Sequence, residues 1–102
     1  MIRRVAFAAF AALAAAGASA DEIPEGDPEY GEYLSGECVT CHKADGADEG
    51  IPSITGWDAA AFFYTLAAYR DGDREHEAMR LVASRLTDEE IAGLAAYFGR
   101  LE

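Results

Sequence analysis

The chain has 102 residues, 51% of them hydrophobic and 26% charged, with 8 Lys and Arg against 19 Asp and Glu and a formal net charge of -11; that is room for one domain. The balance excludes a nucleic-acid binder, which needs a basic face to neutralise phosphates, and it disfavours docking on an anionic membrane surface. With only 2 Cys, 2 His and 2 Met available, any metal or redox chemistry is assembled from very few side chains.

Residues 1–20 read as a cleaved secretory signal peptide. Arg3 and Arg4 form the positive start, an apolar stretch runs from Val5 to about Ala16, and Ala18-Ser19-Ala20 is a small-residue cleavage site. The apolar run falls short of the roughly 20 residues a membrane span needs, so no span is expected after cleavage. Arg3-Arg4-Val5-Ala6-Phe7 lacks the remainder of a twin-arginine signal, which leaves export of the unfolded chain. Losing Arg3 and Arg4 leaves 6 basic against 19 acidic side chains. A domain this small is seldom held by its core alone, so a disulfide, metal, cofactor or partner is expected to staple it.

Residues 21–27 are acidic, contain Pro24 and have no period; they are predicted to be a flexible leader ahead of a domain over 28–102. Asp27-Pro28 is an N-cap followed by proline at the first helical position. Gly31, Leu34 and Cys38 then recur at helical steps, predicting a helix that ends near His42. Lys43 to Gly56 carries Gly46, Gly50, Pro52 and Gly56 without apolar periodicity, a loop long enough to imply service to a site. A second helix is predicted from Asp58 through Ala61, Phe62, Leu66 and Tyr69 to Asp71-Gly72, and a short third one over Glu75 to Ser84. Thr87-Asp88-Glu89-Glu90 is a capping box for the last helix, with Leu86 and Ile91 placed as a hydrophobic staple and Ile91, Leu94, Ala95 and Phe98 as its buried stripe. No segment alternates with the period of a strand, so the fold class is all-α, about four helices.

Chemistry concentrates in Cys38-Val39-Thr40-Cys41-His42, a C-x-x-C-H arrangement. On a turn of helix, two thiols at this spacing reach the two vinyl groups of one haem, and the adjacent imidazole falls beneath the iron. A thioredoxin-like redox pair lacks its βαβ context. A zinc site needs four protein ligands, which Cys38, Cys41, His42 and His76 could supply, or three with an open position, and a plain disulfide is open to any exported protein. Covalent haem attachment also belongs outside the cytoplasm, in keeping with the signal peptide. Once Met1 leaves with that peptide, Met79 is the only methionine, and the thioether on the third helix is the candidate for the opposite axial position. His76, three residues earlier, competes for the same place. Trp57, Phe62, Phe63, Tyr64 and Tyr69 read as core, which here means walls around the macrocycle.

These residues resemble the small class I cytochromes c over nearly the whole mature chain, from about Tyr30 to Leu101. The loop Gly50-Ile51-Pro52-Ser53-Ile54-Thr55-Gly56 is similar to the family's Gly-x-Pro-x-Leu-x-Gly. The resemblance implies that the Pro52 carbonyl orients His42 and that Ile54 packs on the ring. It also implies that Leu94-Ala95-Ala96-Tyr97-Phe98 of the terminal helix cross the first helix at Gly31 and Leu34. The stretches Ala68 to Arg74, Met79 to Ala83 and Leu86 to Ile91 are most like the haem domains of flavocytochrome c sulfide dehydrogenases and related monohaem carriers, whose residue at the position of His76 is usually Asn or another small polar one.

The implied protein is a periplasmic one-electron carrier with one covalent haem c, its iron held by His42 and Met79. It works free or as the haem subunit of a dehydrogenase of sulfur compounds, with a flavoprotein subunit as partner. The alternative is a haem-based ligand-binding or catalytic module in which Met79 leaves the sixth position open. Ten of the 19 acids fall between Asp21 and Glu49 against the single base Lys43, so the redox partner is expected to present a basic docking patch.

Overall fold

The computed structural model describes residues 23–43, 45–46 and 50–101; the signal-peptide segment lies outside them. Five helices follow in order: α1 (Pro28–Leu34), α2 (Gly36–Val39), α3 (Ala59–Asp71), α4 (Glu77–Ala83) and α5 (Asp88–Gly99). Among the described residues there is no strand, and no helix is long and apolar enough to cross a membrane.

The single first helix expected up to His42 is two. Ser35 breaks it: its backbone N–H and its hydroxyl both bond the Glu32 carbonyl, at 3.1 and 2.7 Å. The tightened turn and the low helix propensity of the following Gly36 redirect the chain. Asp27 caps α1 as the sequence implies, accepting from the Glu29 N–H at 2.9 Å. Of the segment expected to be a flexible leader, residues 23–27 are described and form no helix or strand; Ile23 packs against the core and the Gly26 backbone is in close contact with the Ala92 carbonyl.

The other helix ends follow their local chemistry. The Asp58 carboxylate accepts from the Ala61 N–H at 3.1 Å to open α3, and Gly72, at φ 86°, closes it in the left-handed conformation. At α5, Thr87 Oγ1 accepts from Glu90 N–H at 3.1 Å while Glu90 Oε1 accepts from Thr87 N–H at 2.8 Å, a complete capping box. Helix α4 begins two residues later than expected because His76 is its N-cap.

The core sits where α5 meets α1 on one side and α3 on the other, with α4 against α3. Ile91, Leu94 and Phe98 are the largest fully buried side chains. Phe98 stacks on Phe62 of α3 with centroids 5.7 Å apart, and Trp57 meets Phe62 edge-on at 6.0 Å. The α1–α5 crossing is closer than ordinary helix packing because Gly31 faces Gly93 with no Cβ on either side. This crossing fixes where α2, and the cysteines on and after it, stand relative to α3 and α4.

Candidate haem site

A cavity of about 360 Å³ opens between the Cys38–His42 segment, the 50–57 loop, α3 and α4. Cys38, Cys41 and His42 line one wall, and Met79 and Val82 of α4 line another. Ile54, Trp57, Phe62 and Leu66 complete a largely apolar enclosure. All six site residues singled out from the sequence, Cys38, Cys41, His42, Pro52, Ile54 and Met79, therefore share one cavity.

The turn Thr40–His42 continues past α2, with the His42 N–H bonded to the Cys38 carbonyl at 2.7 Å, so Cys38, Cys41 and His42 stand on one helical turn. His42 Nδ1 lies 2.7 Å from the Pro52 carbonyl oxygen. A carbonyl only accepts, so Nδ1 carries a proton, and in the neutral ring the lone pair is then on Nε2. Proline restricts φ at that carbonyl's residue, and the loop is further tied by Trp57 Nε1–H donating to the Ser53 carbonyl at 3.2 Å and by Gly56 N–H donating to the Phe98 carbonyl at 2.9 Å. The imidazole is thus oriented by a loop that is itself anchored to α5.

Burial, with a smaller contribution from Glu37, pushes the Cys38 thiol up to about 11. As a free thiol it is protonated at neutral pH, the opposite of the lowered thiol on which a redox-active C-x-x-C pair depends. Among the described residues no three His, Cys, Asp or Glu side chains converge as metal ligands, so the arrangement does not build a zinc site with Cys38, Cys41, His42 and His76. What it does offer is two thiols, one nitrogen lone pair and one thioether around an apolar cleft, a donor set that fits haem c.

His76 also lines the cavity, but its ring has a structural occupation: Nδ1 accepts from the Met79 N–H at 3.4 Å, capping α4. Two features escaped sequence reasoning. Gly93, the partner of Gly31, carried no signal beyond being a glycine inside a helix. Arg74 lines the cavity beside Tyr69, which the sequence does place there, with the guanidinium 5.0 Å from the Tyr69 centroid.

No protein-family model matches the chain. It is 39% identical over 84 residues to cytochrome c-554(548) of Halomonas halodenitrificans, covering 76% of this chain and 99% of that one. It is 39% identical over 72 residues to the cytochrome subunit of sulfide dehydrogenase of Chlorobaculum tepidum, covering 70% of this chain and 66% of that subunit. The structure superposes on reduced cytochrome c4 of Pseudomonas stutzeri with a TM-score of 0.68 at 27% identity, over 79% of this chain and 53% of cytochrome c4. With the all-helical fold and the C-x-x-C-H cavity already in place, these likenesses show that the chain belongs to the class I c-type cytochromes, electron-transfer proteins that carry covalently bound haem c.

Proposed function

We propose that this cytochrome is an exported, periplasmic carrier of single electrons whose Cys38 and Cys41 hold the haem as thioethers while His42 Nε2 and Met79 Sδ take the two axial positions. The observation that carries this reading is the placement of His42, with both cysteines beside it, and Met79 on separate walls of one largely apolar cavity. The haem supplies the redox-active iron, which cycles between ferric and ferrous states. Pro52 keeps His42 in the tautomer that leaves Nε2 available, and Ile54, Trp57, Phe62 and Leu66 exclude water from the ring faces. A second protein ligand occupying the sixth position leaves no place for a substrate, which favours electron transfer over a ligand-binding or catalytic module.

The likeness to the cytochrome subunit of sulfide dehydrogenase supports a flavoprotein dehydrogenase of sulfur compounds as electron donor. The excess of acids on the first described segments, Glu25, Asp27, Glu29, Glu32 and Glu37 with no base until Lys43, supports a basic docking patch on that partner. The ligation is tested by substituting Met79→Ala in the matured protein. The wild type should show the long-wavelength sulfur-to-iron charge-transfer band of ferric haem, the variant should lose it, and its potential should fall. A wild type without the band contradicts Met79 ligation and favours the open-site module.

A further inference from the structure

Helix α4 carries Met79 on seven residues, of which Ala83 is the buried one, and Leu81 is 69% exposed. A helix of two turns is not stable by itself in water, so the place of Met79 depends on what α4 rests on and on what holds its ends. Its broad packing is against α3. His76 caps the first end. The second end is closed by the turn that follows, where the Leu86 N–H donates to the Ala83 carbonyl at 3.0 Å.

Arg70, in the last turn of α3, reaches across to that turn. Its Nη1 donates to the Leu86 carbonyl at 3.3 Å and to Asp88 Oδ1 at 2.7 Å, while its Nε donates to Asp71 Oδ1 at 3.0 Å. Two carboxylates thus fix the plane of the guanidinium, and the Leu86 carbonyl takes a charge-assisted bond from it. The Arg70 side chain is 23% exposed, against 62% for Arg85, whose bond to Glu37 at 2.9 Å also reaches the turn. Water screens an exposed pair and leaves it little hold, so Arg70 is the stronger tie.

We infer that Arg70 is a positioning residue that latches the far end of α4 to α3 and so governs how readily Met79 leaves the iron; the inference rests on the axial ligation proposed above. With the latch open, α4 is held at its first end and by its face on α3 alone. The sixth position is then available to a free ligand in proportion to the open fraction, and the apparent affinity for that ligand rises by the same factor. Losing a hydrogen bond from a charged, partly exposed group raises that fraction roughly three- to tenfold.

The experiment titrates free imidazole into the matured ferric proteins, following loss of the sulfur-to-iron charge-transfer band as Met79 is displaced. The proteins are wild type, Arg70→Gln, Asp88→Asn, the double variant of these two, and Tyr30→Phe. Tyr30 donates to Glu90 Oε2 at 3.3 Å, a tie between α1 and α5 that does not involve α4. The inference expects imidazole affinity to rise at least threefold in R70Q, to rise in D88N as well, and to agree within twofold between R70Q and the double variant; Y30F should change it less than twofold. Arg70 and Asp88 carry opposite charges, so an effect of charge on the iron would move the single variants in opposite directions, whereas a latch moves them together. A rise below threefold in R70Q, no rise in D88N, a double variant more than twofold from R70Q, or a twofold or larger change in Y30F overturns the inference. Should R70Q fail to mature, D88N decides alone, Asp88 being 62% exposed on the first turn of α5. A wild type without the charge-transfer band overturns the proposed ligation and this inference together; a wild type with the band and an unmoved R70Q overturns the inference only.

Discussion

Substituting Gly31→Ala tests the helix crossing that positions the haem-binding segment. A Cβ placed on Gly31 would stand 2.5 Å from the Gly93 carbonyl carbon and 2.9 Å from the Tyr97 Cβ. Ordinary contact begins near 3.4 Å, so α1 and α5 must part by about 1 Å, and neither obstacle is the free end of a flexible side chain. Overpacking costs about 1–3 kcal/mol, and an obstruction made of backbone belongs at the upper end. Taking about 3 kcal/mol and a shift of about 4–8 °C per kcal/mol for a domain of this size, the melting midpoint should fall by about 12–24 °C. The assay is thermal unfolding of the matured proteins followed by circular dichroism, with Gly36→Ala as control. Gly36 has no atom within 4 Å of an added Cβ and lies in α2, so alanine should be neutral or stabilise by up to about 1 kcal/mol. A G31A midpoint within a few degrees of wild type would refute the reasoning about the crossing.

Glu90 provides a pH test. Its hydrogen bond from the Thr87 backbone, with smaller help from the Thr87 and Tyr30 side chains, holds its carboxyl below the ordinary value of 4.5. The stabilisation is therefore present above about pH 4.5 and lost as pH falls through the lower folded value; melting midpoints of Glu90→Gln should decline less steeply than wild type on acidification below about 4.5, and parallel curves would contradict the assignment. Electron exchange with a basic redox partner should slow as salt is added, because the acids of residues 25–37 steer association over about a Debye length; stopped-flow rates independent of ionic strength would remove the case for that docking patch. Replacing both Cys38 and Cys41 by Ala should leave a protein without a cooperative melt, since Ile54, Trp57, Leu66 and Val82 line the cavity that the ring would fill. A fully helical, cooperatively melting variant would show that the haem is not part of the core.

What the sequence made legible was chemistry with a fixed spacing. Cys38, Cys41 and His42 announce their function because three donors on one turn suit one macrocycle, and Met79 stands out because the one other methionine, Met1, falls in the expected signal peptide. The capping box at Thr87 and the cap at Asp58 were equally readable, being local. Contacts between distant segments were not. Gly31 lay in the predicted crossing, but nothing near Gly93 marks it as the opposing surface, and the packing of residues 23–27 on α5 depends on Gly26, which has no pattern of its own. The break at Ser35 turns on a side chain choosing its own backbone over continuing the helix, a preference of a fraction of a kcal/mol to about 1 kcal/mol that periodicity over Gly31, Leu34 and Cys38 conceals. The role of Pro52 came through resemblance to cytochromes c; no periodic or compositional signal points from a loop proline to a histidine ten residues earlier. His76 looked like a rival ligand because an imidazole three residues before Met79 suits either role, and spacing does not show that its Nδ1 caps α4.

The central claim is that Cys38 and Cys41 both bind one haem in the cavity closed by His42 and Met79. Peptide mapping by mass spectrometry, on protein exported from cells that mature c-type haem, tests it most directly. The fragment spanning Cys38 to His42 should carry the mass of one haem with neither sulfur free to alkylate. Alkylated thiols, or a Cys38–Cys41 disulfide without added haem mass, would contradict the account.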